Sequence, residues 1–92
     1  MLDKYDKLNE ILLITQEECA EVTQAISKVF RFGFDSQWPV GTPPNRERLA
    51  EEVGDLLAMI DILVESGVIS DSLVNQSRKN KRNKLKTWSS YN

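Results

Sequence analysis

The chain has 92 residues, of which 28% are charged and 40% apolar, and its formal net charge is −2. We expect residues 1–92 to form a single soluble domain with a thin core, and the charge balance argues against nucleic-acid or anionic-membrane partners. Because the sequence contains no histidine and only one cysteine, it excludes histidine-based catalysis, internal disulfides and cysteine-based zinc sites. The longest apolar run, Ile11–Ile14, is too short to cross a membrane, and the absence of a signal-peptide pattern predicts a cytoplasmic protein.

The first predicted element is a helix from Asp3 to about Phe32, a stretch without glycine or proline. Glu18 lies in the middle of its apolar stripe, and Gly33 is the expected end of the helix. The apolar members of the stripe recur at steps of three and four residues: Ile11, Ile14, Val22, Ala25 and Val29.

Residues 33–45 contain all three prolines and are predicted to form a loop. The loop carries Phe34 and Trp38, and we favour packing over ligand binding for both rings because exposed aromatic surface is costly. Asn45 is the expected N-cap of a second helix that runs to about Ser66 and ends at Gly67. The buried stripe predicted for this helix consists of Leu49, Val53, Leu56, Ile60, Leu63 and Val64.

A third helix is predicted to begin at Ser70 or Asp71, and it is followed by a short extension from Trp88 to Asn92. Its apolar pattern is weaker, with Leu73, Val74 and Leu85 as the apolar positions.

Four carboxylates lie beside the apolar stripes of the first two helices. Glu18 and Glu21 are three residues apart, and so are Glu52 and Asp55, so each pair occupies one helix face. A carboxylate that faces a core is unfavourable unless it is paired or bound to a metal ion. One such pair is more often a solvated edge, but two pairs favour a Mg²⁺ or Mn²⁺ site built from oxygen ligands. Gly54 is expected to permit a close backbone approach there.

The two acidic segments resemble those of the MazG-like all-α nucleotide pyrophosphohydrolases. Glu17-Glu18-Cys19-Ala20-Glu21 is similar to the family's E-E-x-x-E segment, and Glu51-Glu52-Val53-Gly54-Asp55 is similar to its E-E-x-G-D segment. The similarity covers roughly residues 8–88. Arg31-Phe32-Gly33, Asn45-Arg46-Glu47 and Ala58-Met59-Ile60-Asp61 resemble segments of compact phage-type and bacterial members.

The resemblance implies hydrolysis of a nucleoside triphosphate between the α- and β-phosphates, which yields a monophosphate and pyrophosphate. It assigns the Mg²⁺ ligands to Glu18, Glu21, Glu52 and Asp55, with Mn²⁺ as a substitute. Glu17 would hold a further ion or position the attacking water. Candidate substrates include dUTP and, in a phage setting, dGTP or GTP; the base preference stays open.

Six of the 12 basic residues lie between Arg78 and Lys86. The family's third helix implies that Lys81 and Lys84 grip the triphosphate, whereas a solvated basic helix end is an equally good reading. Asp61 is a candidate contact for the sugar or base, with a partner inside the bundle as its alternative. Asn45 is a second candidate for substrate contact, and Arg31, Phe32 and Trp38 are either stacking groups or packing groups.

The expected fold is all-α, with three helices per protomer. Two chains would form a four-helix-bundle-like core, as a homodimer or a dimer of dimers. The active site would lie between the first two helices and be closed by the basic helix or by a partner chain. Two other functions remain open: a non-catalytic helical interaction protein and a nucleic-acid-binding module that uses the basic helix.

Overall fold

A computed structural model describes residues 6–88, which form three helices and no strand. Helix α1 is Asp6–Phe32, helix α2 is Asn45–Glu65 and helix α3 is Asp71–Trp88. The predicted all-α class and helix number are therefore confirmed. The expected start at Asp3 and the extension after Trp88 lie outside the described residues. Among residues 6–88, no helix combines the length and the apolar character that crossing a bilayer needs.

The helix boundaries follow the signals in the sequence. Gly33 and Gly67 end the first two helices with φ angles of +94° and +75°, a left-handed conformation that glycine adopts without steric cost. Ser70 starts α3, because its hydroxyl Oγ accepts a hydrogen bond from the Leu73 N–H at 3.3 Å.

Helices α1 and α2 pack side by side in antiparallel orientation. The start of α2 touches the end of α1, while Glu18 meets Glu52 and Asp55 further along the pair. Ala25 and Leu63 are the apolar side chains that are buried among the described residues. The predicted stripes are otherwise half-buried, and the assignment of Val53 to the buried stripe is wrong because this side chain is exposed.

The loop covers the start of α2 with its own backbone. The N–H groups of Asn45 and Arg46 donate to the carbonyl oxygens of Ser36 and Phe34, at 3.0 and 2.8 Å. The prediction that Asn45 caps this helix is wrong, because Pro44 holds the cap position and no side chain caps it. Loop carbonyl oxygens thus satisfy N–H groups that a side-chain cap often satisfies.

The side chain of Asn45 instead joins the two helices. Asn45 is buried, and its Nδ2 donates to the carbonyl oxygens of Gly33 at 3.0 Å and Lys28 at 3.4 Å. These bonds fix the first residue of α2 against the last turn of α1.

The aromatic side chains of the loop do not pack into a core. Trp38 is 79% exposed and Phe34 is 55% exposed, so the expected packing of both rings is wrong within one chain. The ring of Phe34 lies under the guanidinium of Arg46, at 5.0 Å from its centroid, and Arg46 also bonds Asp35 at 2.9 Å. This exposed ion pair holds the loop end near α2 at little energetic gain.

Helix α3 projects away from the helix pair. Within residues 6–88, only α1 and α2 pack along each other, and Leu73 on α3 is 68% exposed. The radius of gyration is 16.5 Å, whereas a compact chain of this length has about 12 Å. The accessible surface is 7335 Å², while a compact monomer of this mass exposes about 5400 Å². One chain alone therefore leaves much apolar surface uncovered.

Candidate metal centre

Three carboxylates converge between α1 and α2. Glu18 on α1 and Glu52 and Asp55 on α2 each offer an oxygen, and these oxygens lie within 4.8 Å of one another. The helical spacing explains the convergence, since Glu52 and Asp55 share one face and Glu18 lies in the stripe that packs against it. The sequence predicted these three residues as ligands of one site, and the structure brings them together.

The carboxylate of Glu18 has one oxygen without a partner. Its Oε2 is inaccessible to solvent and is the one buried side-chain oxygen or nitrogen atom in residues 6–88 that lacks a hydrogen bond. Burial raises the pKa of Glu18 above its ordinary value, and the charges of Asp55 and Glu52 raise this pKa further, with smaller effects from Glu21 and Glu17. An unpartnered buried carboxylate oxygen is energetically unfavourable and calls for a cation or a proton.

The donor set fits a hard divalent cation. The three groups offer oxygen ligands only, and within the described chain the sole ion pair joins Arg46 to Asp35, so no basic side chain forms an ion pair with the cluster. Mg²⁺ takes oxygen ligands at about 2.1 Å, so the three carboxylate oxygens would have to draw closer together to hold such an ion. The unpartnered oxygen of Glu18 would then gain its missing contact.

Glu21, the fourth predicted ligand, lies one turn further along α1. It is exposed and lines a small cleft together with Glu52, outside the group of three. Glu17 is also exposed and lies outside that group, although its charge contributes to the raised pKa of Glu18. The structure therefore brings three of the four predicted ligands to one point and Glu21 to its edge.

Two basic residues of this cleft were not among the predicted site residues. Lys28 and Arg48 line it with Glu21 and Glu52, and Ala25 and Asn45 complete the lining. Helical spacing carried the signal, because Lys28 follows Glu21 by seven residues and Arg48 precedes Glu52 by four. The cleft has a volume of about 20 Å³, enough for one water molecule or ion. A larger ligand must lie over it.

The other predicted substrate contacts have different positions. Asn45 lines the cleft, whereas Asp61 is exposed and lies outside the cleft lining. Lys81 and Lys84 line a pocket near the C-terminal end of α3, where the Nζ of Lys81 lies 4.9 Å from the ring centroid of Trp88. Neither lysine lines the carboxylate cleft of its own chain.

Gly54 does not provide the expected close backbone approach. It is exposed, and a Cβ atom at this position would meet nothing within 4 Å. The prediction is wrong within one chain, because the position lies on the outer face of α2.

The sequence resemblance implies acidic pairs on two adjacent helices, with the site between them, and the structure has its carboxylate cluster between α1 and α2. The family model described as the MazG nucleotide pyrophosphohydrolase domain matches residues 7–84, which is most of the chain. The chain belongs to this family. No curated protein and no solved structure matches it significantly. Membership supports a nucleotide pyrophosphohydrolase activity on a nucleotide substrate, and the acidic cluster is suited to a divalent metal ion.

Proposed function

We propose that the protein is a Mg²⁺-dependent nucleoside triphosphate pyrophosphohydrolase that cleaves between the α- and β-phosphates. The observation that carries this proposal is the unpartnered, buried oxygen of Glu18, which lies beside Glu52 and Asp55 on the facing helix. The family match supports the reaction class. Since nucleoside triphosphates are cytoplasmic metabolites, the proposal includes a cytoplasmic location for this single-domain enzyme.

Four acids are assigned to the metal centre in this proposal: Glu18, Glu21, Glu52 and Asp55. When bound there, Mg²⁺ would neutralise phosphate charge and lower the pKa of a coordinated water. Glu17, which is exposed on the turn of α1 that carries Glu18, would hold a further ion or orient the attacking water. One of the acids nearest that water would accept its proton.

The basic residues are proposed to bind the phosphates. Lys28 and Arg48 line the cleft next to the acids, so phosphate oxygens that extend beyond the metal centre would meet these cations. Lys81 and Lys84 on α3 are proposed as additional phosphate contacts, and Asp61 and Asn45 as sugar or base contacts. Because neither lysine lines the cleft of its own chain, their contribution requires a chain of the second dimer in a dimer of dimers, or a movement of α3.

We further infer a homodimer, or a dimer of dimers, in which α1 and α2 of two chains form a four-helix-bundle-like core. Uncovered apolar side chains on both helices support this assembly, among them Ile26, Val53, Leu57 and Ile62. The surface of one chain exceeds that of a compact monomer by about 1900 Å², which is within the range that obligate homodimers bury per subunit. Light scattering after size exclusion tests this inference, and a monomer at micromolar concentration would contradict it.

The activity is tested by measuring pyrophosphate release from the eight common nucleoside triphosphates, with Mg²⁺ or Mn²⁺. We expect monophosphate and pyrophosphate from at least one substrate, and the panel identifies the preferred base, dGTP, GTP and dUTP included. Glu52→Gln should abolish the reaction because it removes a ligand charge. Glu65→Gln is the matched control, since Glu65 is exposed at the other end of α2.

Two results would contradict the proposal. Undiminished activity of Glu52→Gln would remove the metal centre from the mechanism. A wild-type protein that is inert on every substrate with either metal would favour a non-catalytic helical interaction protein.

A further inference from the structure

Two uncovered grooves on the described helices each have an apolar part and a charged part, and the charges of the two grooves are opposite in sign. The α1 groove is lined by the apolar Leu12 and Leu13 and by polar and acidic side chains, namely Asp6, Asn9, Glu10 and Gln16. The α3 groove has an apolar part at Val68, Leu73 and Val74 and a basic part at Arg78, Lys81 and Arg82. Leu13 and Leu73 are 55% and 68% exposed, so each groove leaves a large apolar side chain in water.

The helical parts of the two grooves are similar in length, and their charged and apolar residues come in opposite order along the chain. Asp6 to Gln16 spans about 15 Å of helix, and Leu73 to Arg82 spans about 14 Å. Along α1 the acids come first and the leucines second. Along α3 the apolar residues come first and the bases second. Only an antiparallel alignment therefore places acids against bases and apolar side chains against one another.

The chain cannot easily make this antiparallel contact with itself. Because α1 and α2 are antiparallel, the end of α2 lies beside the first half of α1, and α3 starts there after the short connection 66–70. If α3 folded back along its own α1, it would run parallel to it. Asp6 and Glu10 would then face Leu73 and Val74, and the basic part would lie beyond the leucines.

We propose that the α1 groove binds helix α3 of a second copy of this chain, in antiparallel orientation. Asp6 and Glu10 face Arg82 and Arg78 of the other copy, and Leu13 packs near Leu73 and Val74. In a dimer with a twofold axis, the α1 groove of each chain binds α3 of the other chain. The contact therefore forms twice, and the assembly is closed. This inference rests on the homodimer proposed above, but not on the proposed hydrolysis.

The test uses two charge-reversed variants of the full chain. The first variant carries Asp6→Arg and Glu10→Arg, and the second carries Arg78→Glu and Arg82→Glu. Each variant alone sets like charges against each other in both contacts of a dimer. In a mixed dimer one contact is restored with reversed charges and the other is identical to wild type.

Assembly is measured by sedimentation velocity at low salt for each variant and for their equimolar mixture. We expect the dissociation constant of each variant alone to rise at least about tenfold and that of the mixture to return near the wild-type value. Lys79→Glu with Lys86→Glu is the matched control. It changes the net charge of α3 equally but lies outside the groove, so it should assemble like wild type. Circular dichroism verifies that all variants are equally helical.

A mixture that stays as dissociated as its components would overturn the proposal, because a contact within one chain is not rescued by mixing. Assembly of either variant at wild-type strength would overturn it too, and would assign the α3 groove to a different partner. Both readouts are independent of pyrophosphate release, so an inactive protein that passes this test would refute only the proposed function.

Discussion

At the scale of single residues, Glu18 contributes a pH dependence to the stability of the metal-free protein. Burial and neighbouring acids raise its pKa above 4.5 in the folded state, so the fold retains a proton that the unfolded chain releases. This protonation stabilises the fold fully below about pH 4.5, and the contribution is lost as the pH rises through the raised pKa. In the absence of metal, acidification over this window therefore favours folding at this site.

Glu18→Gln should remove this part of the pH dependence. In chelator, we expect the variant to be more stable than wild type at pH 7, because the neutral amide carries no charge into the cluster. With excess Mg²⁺ the order should reverse, since the variant lacks a ligand. Urea unfolding at about pH 5 and about pH 7, with and without Mg²⁺, measures both effects. Parallel pH profiles of the two proteins in chelator would show that Glu18 titrates normally.

Arg48 allows a test of phosphate binding at the same site. Arg48→Gln should raise KM for the preferred nucleoside triphosphate about tenfold, because a charge-assisted hydrogen bond to phosphate is lost. Arg48→Lys should retain part of the affinity. Steady-state kinetics with Lys79→Gln as the exposed control measures this, and an unchanged KM for Arg48→Gln would remove Arg48 from the substrate site.

At the scale of elements, Asn45 links α2 to α1. Asn45→Ala removes both hydrogen bonds to the carbonyl oxygens of Lys28 and Gly33. We expect a loss of about 1–3 kcal/mol in the free energy of unfolding, because a buried side chain loses two partly buried hydrogen bonds. Denaturant unfolding measures the loss, and Asn83→Ala, an exposed change on α3, should leave stability within about 0.5 kcal/mol. Equal stability of the two variants would contradict the linking role.

The sequence predicted the helices well because their ends carry local signals. Gly33 and Gly67 stop two helices and Ser70 starts the third through contacts within a few residues of each. The convergence of Glu18, Glu52 and Asp55 could be predicted as well, since spacing along a helix determines which side chains share a face. Local sequence does not predict structural features that depend on contacts with neighbouring elements. Three such features are the backbone capping of α2 by the loop, the exposure of Trp38 and the open space at Gly54.

The position of α3 could not be predicted for a related reason. Its apolar residues indicated a face that needs a partner, but periodicity does not say which chain supplies that partner. The single-chain structure leaves Leu73 exposed and Lys81 away from the acids. The partner of this face of α3 is therefore not α1 or α2 of the same chain.

At the scale of the whole molecule, the sparse core predicts that stability depends on protein concentration. Ala25, Leu63 and Asn45 are the buried side chains among the described residues, too few to hold a domain of this size by themselves. Because association would supply the missing burial, we expect the midpoint of thermal unfolding to rise by several degrees for each tenfold increase in concentration. Circular dichroism melts over a hundredfold range measure this, and a constant midpoint would contradict it.

The projection of α3 from its own helix pair has a consequence for how much protein a cell must make. If folding and association are one event, newly made chains stay unfolded, and exposed to proteases, until their number is high enough for two to meet and bind. The amount of working enzyme then rises more steeply than the amount synthesised. A modest change in expression would be amplified at the level of nucleotide turnover.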